Sequence, residues 1–224
     1  MPDLAKAGAG LVGAAAETGG LYVSAVELKA TLSLSGQTFA DPDVNAAISA
    51  ASRSLDAMCG RRFWADPDTT SVRLYTPDSY RRLMIDDLID LSALKVDQDG
   101  DGTFEETWTV GTDFMLEPPN APYDKPVRPY ESAVIRKTAR KYFPVDLEQS
   151  VQVTGRFGWI AVPPEIEQAA TILAAQLLKR SREAPFGIVA FGGLDAGGAI
   201  RIARTDPTIA NLVTPYIRHT PFLA

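Results

Sequence analysis

The chain has little of what enzymes and metalloproteins usually employ. It holds one cysteine and one histidine in 224 residues. A single cysteine excludes a disulfide within the chain, and one cysteine with one histidine excludes the usual zinc ligand sets. No apolar run reaches the roughly 18 residues that a transmembrane helix needs. We therefore expect no metal cofactor and no membrane partner.

The polar residues that are present do not form a catalytic pattern. His219 is the only histidine, and no Gly-x-Ser-x-Gly segment accompanies it. Cys59 ends a predicted helix without an acid–base partner, so we interpret it as a small buried hydrophobe. Asp86, Asp87 and Asp90 follow a predicted strand, and we interpret them as a solvated turn. The sequence therefore predicts neither an enzyme nor a cofactor.

Charge is distributed unevenly along the chain. The net charge is −6, made up of −11 over residues 1–124 and +5 over residues 125–224. This is either an ordinary solvated surface or a molecule with two electrostatic ends that stacks between unlike partners. The segment 136–141 holds Arg-Lys twice and is followed by Tyr142. Because a nucleic-acid binder usually shows a denser basic stripe, we interpret this segment as a solvated face or a protein contact.

Hydrophobic periodicity predicts helices towards both ends of the chain and strands between them. The helices are predicted near 24–32, 42–59, 164–183 and 207–218. The strands are predicted near 71–75, 82–85, 93–97, 105–110, 114–116, 133–137 and 151–156. The fold class is therefore α+β, a small helical bundle that carries an inserted antiparallel β-sheet or small barrel over about 65–158.

The predicted elements divide the chain into three parts. Residues 1–20 form a flexible N-terminal arm. Residues 21–64 and 159–224 form a helical core, and residues 65–158 form the β insertion. Within the helical core, residues 186–199 are predicted to be a glycine-rich loop.

Local signals mark the ends of the predicted helices. Ser24 and Glu27 have the spacing of a capping box. Asp41 and Asp206 each precede a proline and are predicted N-caps. Gly60 is predicted to end its helix in the left-handed conformation.

The helix 164–183 is predicted to be the central one. Its apolar side chains cover about half of its circumference, which is wider than an ordinary surface stripe. We expect Ile166, Leu173 and Leu177 in the core. Ile172 extends the apolar surface to a side that a neighbouring copy or the β insertion would cover. Leu173→Asp should therefore prevent folding, because it buries an unpaired charge.

Asp97, Asp99 and Asp101 open a segment similar to the start of a calcium-binding EF-hand loop. The twelfth position of that loop holds Trp108 instead of glutamate, and both flanks have strand patterns. We therefore predict the turn of a β-hairpin without a metal ion. The alternative is a calcium-binding β-sheet module with these three aspartates as candidate ligands.

Three blocks of sequence occur in a characteristic order and spacing. The first is Tyr22-Val23 with Val26-Glu27-Leu28, and then Leu55-Asp56-Ala57-Met58-Cys59-Gly60-Arg61-Arg62-Phe63. The second is Gly155-Arg156-Phe157-Gly158-Trp159 with Val162-Pro163-Pro164, Gln168-Ala169 and Leu177-Leu178-Lys179-Arg180. The third is Arg204-Thr205-Asp206-Pro207 with Leu212, Pro215-Tyr216 and Arg218. Together they resemble the head-to-tail adaptor (connector) proteins of long-tailed bacteriophages, in the form found in phages of actinobacteria.

This resemblance implies a structural virion protein. Such adaptors form a dodecameric ring beneath the portal, extend the DNA channel and offer a platform to the stopper or tail-completion protein. It implies assembly in the host cytoplasm, a place in the virion neck, and genomic DNA that passes without sequence-specific binding. By analogy the C-terminal segment would dock on the portal protein. The candidate docking residues are Arg204, Asp206, Tyr216, Arg218 and Phe222. The alternative is another neck or tail-completion protein of the same build.

Overall fold

The computed structural model describes residues 20–33, 38–183 and 206–218. Within them lie four α-helices and a six-stranded antiparallel sheet, which confirms the predicted α+β class. The helices are α1 (Ala25–Ser33), α2 (Asp41–Cys59), α3 (Pro164–Glu183) and α4 (Pro207–Val213). The strands are β1 (Ser71–Tyr75), β2 (Arg82–Val96), β3 (Glu106–Trp108), β4 (Phe114–Glu117), β5 (Tyr130–Ile135) and β6 (Val151–Phe157). None of the helices in these ranges is long and apolar enough to cross a membrane.

Two predicted elements lie largely or wholly outside the described residues. The N-terminal arm 1–20 is described only at Gly20, and the glycine-rich loop 186–199 is not described at all.

The predicted capping box is confirmed at the start of α1. The Glu27 amide donates to the Ser24 hydroxyl oxygen at 3.2 Å, and the Ser24 amide donates to the Glu27 carboxylate at 3.0 Å. Each bond satisfies an amide that the helix itself leaves without an acceptor. At α4 the Asp206 carboxylate accepts the Thr208 amide at 2.9 Å, as predicted for an N-cap.

Two predicted helix ends are corrected. Asp41 is not the N-cap of α2, since Ala40 holds that position in an extended conformation and Asp41 is already helical. Pro42 is tolerated there because amides of the first turn need no helical acceptor. α4 ends at Val213 rather than near 218, and a 3-10 turn, Thr214–Tyr216, follows it. Pro215 has no amide hydrogen with which to continue the α-helix.

α3 lies at the centre of the helices and packs against α1, α2 and α4. Its buried stripe includes three alanines, which let the neighbouring helices approach closely. Ile166 is fully buried, whereas Ile172, Leu173 and Leu177 are half-buried at the margin of the core. Leu173 is therefore less buried within one chain than the sequence predicts. The reason for expecting Leu173→Asp to prevent folding does not hold for a single chain.

The sheet has the strand order β1-β6-β2-β5-β4, with β3 paired to the far end of β2. This is an open order with β1 and β4 at its edges. The first half of β2 pairs with β5 and the second half with β6 and β3. Register shifts interrupt both pairings, and such bulges bend a strand.

The long strand β2 corrects the sequence prediction of two separate strands, 82–85 and 93–97. The acidic residues between them lie inside the strand and not in a solvated turn. Asp87 is only 6% exposed. A buried aspartate in a strand interior requires a partner, and that partner comes from the helical part of the chain.

Among the described residues, the buried apolar side chains form two separate cores. One lies among the four helices and also includes Tyr22, Phe63 and Trp159. The other lies within the sheet and also includes Phe143. The contacts that join the two cores therefore determine how the helices are held on the sheet.

Candidate functional site

The helices and the sheet are joined where the chain leaves α2 and where it returns to α3. It leaves through residues 59–66 and returns through residues 155–159. These two segments, together with Asp86 and Asp87 of β2, are called here the helix–sheet junction. The junction contains the two most distinctive motifs of the sequence, Cys-Gly-Arg-Arg-Phe and Gly-Arg-Phe-Gly-Trp.

The first motif turns the chain out of α2. Gly60 has a φ of +65° and its amide donates to the Asp56 carbonyl oxygen at 2.8 Å, which confirms the predicted left-handed helix end. The two arginines then point different ways. Arg61 is buried, with 6% of its side chain exposed, whereas Arg62 lies 4.8 Å above the Trp64 ring at the surface. Phe63 is fully buried in the helical core.

The glycines of the second motif allow close backbone approach. A Cβ atom on Gly155 would lie 2.3 Å from the Asp90 carbonyl oxygen of β2. Gly158 has a φ of +105°, and a Cβ atom there would lie 2.2 Å from the Trp64 carbonyl oxygen. Any side chain at these two positions would force the strand or the return segment away from its neighbour.

The two segments of the junction run side by side. The Asp66 amide donates to the Phe157 carbonyl oxygen at 2.9 Å. Phe157 is fully buried in the sheet core, and Trp159, two residues later, is buried in the helical core. The second motif therefore anchors one aromatic ring in each core.

Asp87 is the polar centre of the junction. Its carboxylate lies 3.3 Å from the Arg61 guanidinium and accepts the Trp159 indole N–H at 2.8 Å. Its carbonyl oxygen accepts the Gly158 amide at 2.7 Å. Arg61 also contacts the Glu131 carboxylate at 2.8 Å. Burial raises the pKa of Asp87, and the positive charge of Arg61 only partly offsets this.

Asp86 faces a second group of cations. Its carboxylate lies 2.6 Å from the Arg73 guanidinium and 3.4 Å from that of Arg218, and it accepts the Tyr75 hydroxyl at 3.1 Å. Arg218 also donates to the Ile85 carbonyl oxygen. Burial alone would raise the pKa of Asp86, but the hydrogen bond and charge of Arg73 lower it below its usual value. Adjacent aspartates thus have pKa values displaced in opposite directions.

A cavity of about 270 Å³ lies between these groups. Its lining residues are Asp56, Gly60, Arg61, Arg62, Arg73, Asp86, Asp87, Gly158 and Arg218. Within this lining Arg61 pairs with Asp87, and Arg73 and Arg218 pair with Asp86. The nearby Cys59 is buried, which raises the pKa of its thiol to about 11 and keeps it protonated at neutral pH. The arrangement is suited to holding two regions together and lacks an activated nucleophile among the described residues.

The predicted portal-docking residues have internal partners where they are described. Asp206 caps α4 and accepts the Gln176 amide at 2.7 Å. Tyr216 is 5% exposed and its hydroxyl donates to Glu165 at 2.7 Å, while Arg218 reaches Asp86 in the junction. Arg204 and Phe222 lie outside the described residues. A contact of these residues with a portal protein stays a prediction.

The Asp97 segment forms the turn between β2 and β3, as the hairpin prediction requires. The Asp97 carboxylate accepts the Gly100 amide at 2.7 Å and the Gly102 amide at 2.9 Å. Burial opposes ionisation of Asp97, but these hydrogen bonds lower its pKa. In the part of the chain that the structure describes, Asp97, Asp99 and Glu105 form a group of three carboxylates that lie within 4.8 Å of one another, and Asp101 is not in this group. The turn is organised by its own backbone amides.

Sequence reasoning missed the junction itself. Arg61, Asp87 and Trp159 are far apart in the chain, and no spacing rule connects them. The sequence contains one indication of it. The Asp86-Asp87 pair interrupts an apolar run that is otherwise typical of one continuous strand. A charge in such a run indicates either a turn or a buried ion pair, and the first interpretation was wrong.

Comparisons with known proteins find similarity at the level of structure. No protein-family model matches the chain, and no curated protein sequence matches it either. The fold is similar to that of a chain from the neck of an empty gene transfer agent particle computed with C6 symmetry. That similarity has a TM-score of 0.50 and 16% identity and covers 89% of this chain and 91% of the other.

Two further solved structures from such particles align with the chain. One is the neck of the native particle computed with C12 symmetry, with a TM-score of 0.49, 17% identity, and 89% and 90% of the two chains covered. The other is the virion of the native gene transfer agent particle, with a TM-score of 0.47, 16% identity, and 89% and 91% covered.

Proposed function

We propose that the protein is a structural component of the neck of a phage-like particle, acting as a head-to-tail adaptor. The observation that carries this proposal is the fold shared with a chain of a gene transfer agent neck over nine-tenths of both chains. The sequence resemblance to phage adaptors agrees with it, and two of its motifs, Cys-Gly-Arg-Arg-Phe and Gly-Arg-Phe-Gly-Trp, are the segments that meet at the helix–sheet junction. A charge-paired cavity without an activated nucleophile suits a scaffold better than a catalyst.

In this role copies of the chain would form a ring, a dodecamer by the sequence resemblance, beneath the portal protein. The ring would extend the DNA channel and present a surface to the stopper or tail-completion protein. Genomic DNA would pass through the ring without sequence-specific contacts. Assembly would take place in the host cytoplasm, and no cofactor or membrane would take part.

The three predicted parts of the chain have distinct tasks in this proposal. Residues 21–64 and 159–224 form the adaptor core, residues 65–158 form an inserted β domain, and residues 1–20 form an arm. The junction fixes the β domain on the core through the Arg61–Asp87 pair. A fixed angle between the two parts would let every copy present the same surfaces around a ring.

The margin of α3 is the surface proposed for contact between copies. Ile172, Leu173 and Leu177 are half-buried in a single chain. A neighbouring copy that covered them would remove the remaining apolar surface from water. Ile166 is already buried in its own chain and would support this surface from within.

The ring is tested by electron microscopy of the purified protein, alone and mixed with its portal protein. We expect ring-shaped particles in one or both samples. Leu173→Asp should abolish the rings while the chain still melts cooperatively, because the charge would lie at the proposed contact. Gln168→Asp, on the exposed side of the same helix, should leave the rings intact. A protein that stays monomeric and does not bind the portal protein would contradict the proposal.

Portal docking is tested separately from ring formation. Arg204→Glu with Phe222→Ala should weaken co-sedimentation with the portal protein and leave the rings unchanged. The alternative, another neck or tail-completion protein, is distinguished by locating the labelled chain in assembled particles. A label away from the portal-proximal layer would favour that alternative.

A further inference from the structure

A second surface, outside the helix–sheet junction, gathers positive charge from two distant parts of the chain. The end of β5 and the segment that follows it lie beside the residues that precede β2. The Ile135 amide donates to the Arg81 carbonyl oxygen at 2.9 Å, and the Phe143 amide donates to the Tyr80 carbonyl oxygen at 2.9 Å. The sequence shows the cations of 136–141 alone, whereas the fold adds Tyr80 and Arg81 to them.

The resulting surface is called here the basic patch. It consists of Tyr80, Arg81, Arg136, Lys137, Arg140 and Tyr142, all of which are exposed. The four cations form no ion pair with any carboxylate in the described part of the chain. Their neighbours behave differently, since Lys141 lies 3.6 Å from Glu106 and Arg82 lies 2.7 Å from Glu117.

Two of the cations are held in place by the backbone. Arg81 donates to the Ile135 carbonyl oxygen at 3.0 Å, and Arg136 donates to the Gly111 carbonyl oxygen. These bonds orient the guanidinium groups without neutralising their charge. Lys137 and Arg140 are free to move towards a ligand. Guanidinium groups that the backbone holds in place, together with mobile cations, are suited to an anion with several charges.

Two aromatic rings complete the patch. Tyr80 is 56% exposed and Tyr142 is 55% exposed, so their rings are accessible from solvent. Exposed aromatics beside cations are typical of surfaces that bind nucleic acid, because bases stack on the rings while cations contact phosphates. An acidic protein surface would use the cations but would gain little from the rings.

We propose that the basic patch binds the phosphate backbone of DNA without sequence specificity. The inference goes beyond the proposed adaptor role and does not require ring formation, since every residue of the patch lies in one chain. The net charge of −6 opposes approach of DNA at long range, so the complex should be weak and strongly dependent on salt.

The test is fluorescence anisotropy with a labelled 20-base-pair duplex of arbitrary sequence. With four phosphate contacts, the affinity should fall about 150-fold between 50 and 200 mM salt, which is a slope of about −3.6 in log units. Lys137→Glu with Arg140→Glu should lower the affinity at 50 mM salt by at least about tenfold and halve the slope. These two side chains make no hydrogen bond or ion pair among the described residues, so folding should be retained.

The matched control is Lys179→Glu with Arg180→Glu in the last turn of α3. It makes the same change in net charge at exposed positions outside the patch. It should bind DNA nearly as well as the unaltered protein. Equal losses in both double variants would overturn the proposal, because net charge rather than the patch would then explain them.

Two further outcomes separate DNA from an acidic protein. Tyr80→Ala with Tyr142→Ala should weaken binding of a single-stranded oligonucleotide more than binding of the duplex, since only unpaired bases are free to stack. Polyglutamate should compete poorly. Displacement of the DNA by an equal charge concentration of polyglutamate, or no binding at 50 mM salt, would contradict the proposal.

Discussion

The helical region and the strand region each bury an apolar core, but the chain builds the two cores differently. The core of the strand region is built from one continuous span, and its strands are linked by hydrogen bonds to neighbours in the sheet. The core of the helical region is built from both ends of the described chain, and four aromatic rings fill its centre next to the junction. These are Tyr22, Phe63, Trp159 and Tyr216, with neighbouring ring centroids 5.2–5.9 Å apart.

The contact between the two regions differs from both interiors. Its polar contacts are the Arg61–Asp87 ion pair, the Trp159 indole on Asp87, Arg218 on Asp86 and backbone groups, whereas each interior is mostly apolar. An apolar contact tolerates sliding, but an ion pair and close backbone contacts have one good geometry. Directional contacts therefore fix the orientation of the two regions relative to each other. Substitutions at Gly158, Arg61 and Asp86 should therefore destabilise the protein by progressively smaller amounts.

Gly158→Ala tests whether the backbones of the two regions touch. The added Cβ would meet the Trp64 carbonyl oxygen at 2.2 Å, and backbone cannot move aside as a flexible side chain can. We expect the free energy of unfolding, measured by urea denaturation, to fall by more than about 4 kcal/mol.

Gly111→Ala is the matched control for that substitution. Gly111 also has a positive φ, +83°, but its missing Cβ would have no atom within 4 Å. The loss should be only about 1–2 kcal/mol, the cost of a left-handed backbone with a side chain. Equal losses for the two variants would show that the regions do not touch at Gly158.

Arg61→Met tests the ion pair. It leaves the Asp87 carboxylate buried without its cation, and such losses cost about 3–5 kcal/mol. Arg62→Met is the control, since Arg62 is half-exposed and pairs with Asp66 at 3.2 Å, and it should cost at most about 1 kcal/mol. Urea denaturation of both proteins at pH 7 gives the comparison.

The same variant has a characteristic dependence on pH. A carboxyl group whose pKa is higher in the folded than in the unfolded state destabilises the fold more as pH rises through that interval. The pKa of Asp87 is already raised by burial, and removal of Arg61 would raise it further. Arg61→Met should therefore recover part of its lost stability as the pH falls from 7 towards the ordinary carboxyl pKa. If the loss of stability in Arg61→Met did not change with pH, the ionisation of Asp87 would not be its cause.

Asp86→Asn should have the smallest effect and the opposite dependence on pH. The lowered pKa of Asp86 contributes stability above the ordinary carboxyl pKa, near ~3.9, and this contribution is lost as pH falls through the lowered folded value. Because the side chain is 46% exposed, we expect a loss of only about 1 kcal/mol at pH 7. Thermal unfolding across pH should show that the difference from the unaltered protein begins to shrink near pH ~4 and vanishes only below the lowered folded pKa. A difference that persists in acid would exclude the charge of Asp86 as its cause.

Local features of the fold followed from the sequence because their causes are local. The capping box at Ser24 and the left-handed Gly60 depend on residues within one helical turn, and both were predicted. The hairpin at Asp97 followed from its Asp- and Gly-rich turn. The half-buried state of Leu173 could not be predicted. Helical periodicity shows which face of a helix is apolar, but not how much of that face other elements cover.

The junction depends on contacts that periodicity cannot supply. From the sequence alone, Asp87 is predicted to be a turn residue. Its partners lie far away in the chain, Arg61 26 residues before it and Trp159 72 residues after it. The basic patch has the same character, since Arg81 joins the cations of 136–141 only through the fold. Charged residues in both places were visible in the sequence, but their partners were not.

The side-by-side course of the two connections has a consequence for how such a chain can vary. The Asp66 amide and the Phe157 carbonyl oxygen lie 2.9 Å apart, so the strand region begins and ends at nearly one point. A segment whose ends nearly coincide can change in length with little effect on the distance between the elements that it joins. Recombination between those two points would therefore give the chain a different outer surface, provided that the exchanged segment keeps a carboxylate for Arg61 and Trp159 at the position of Asp87.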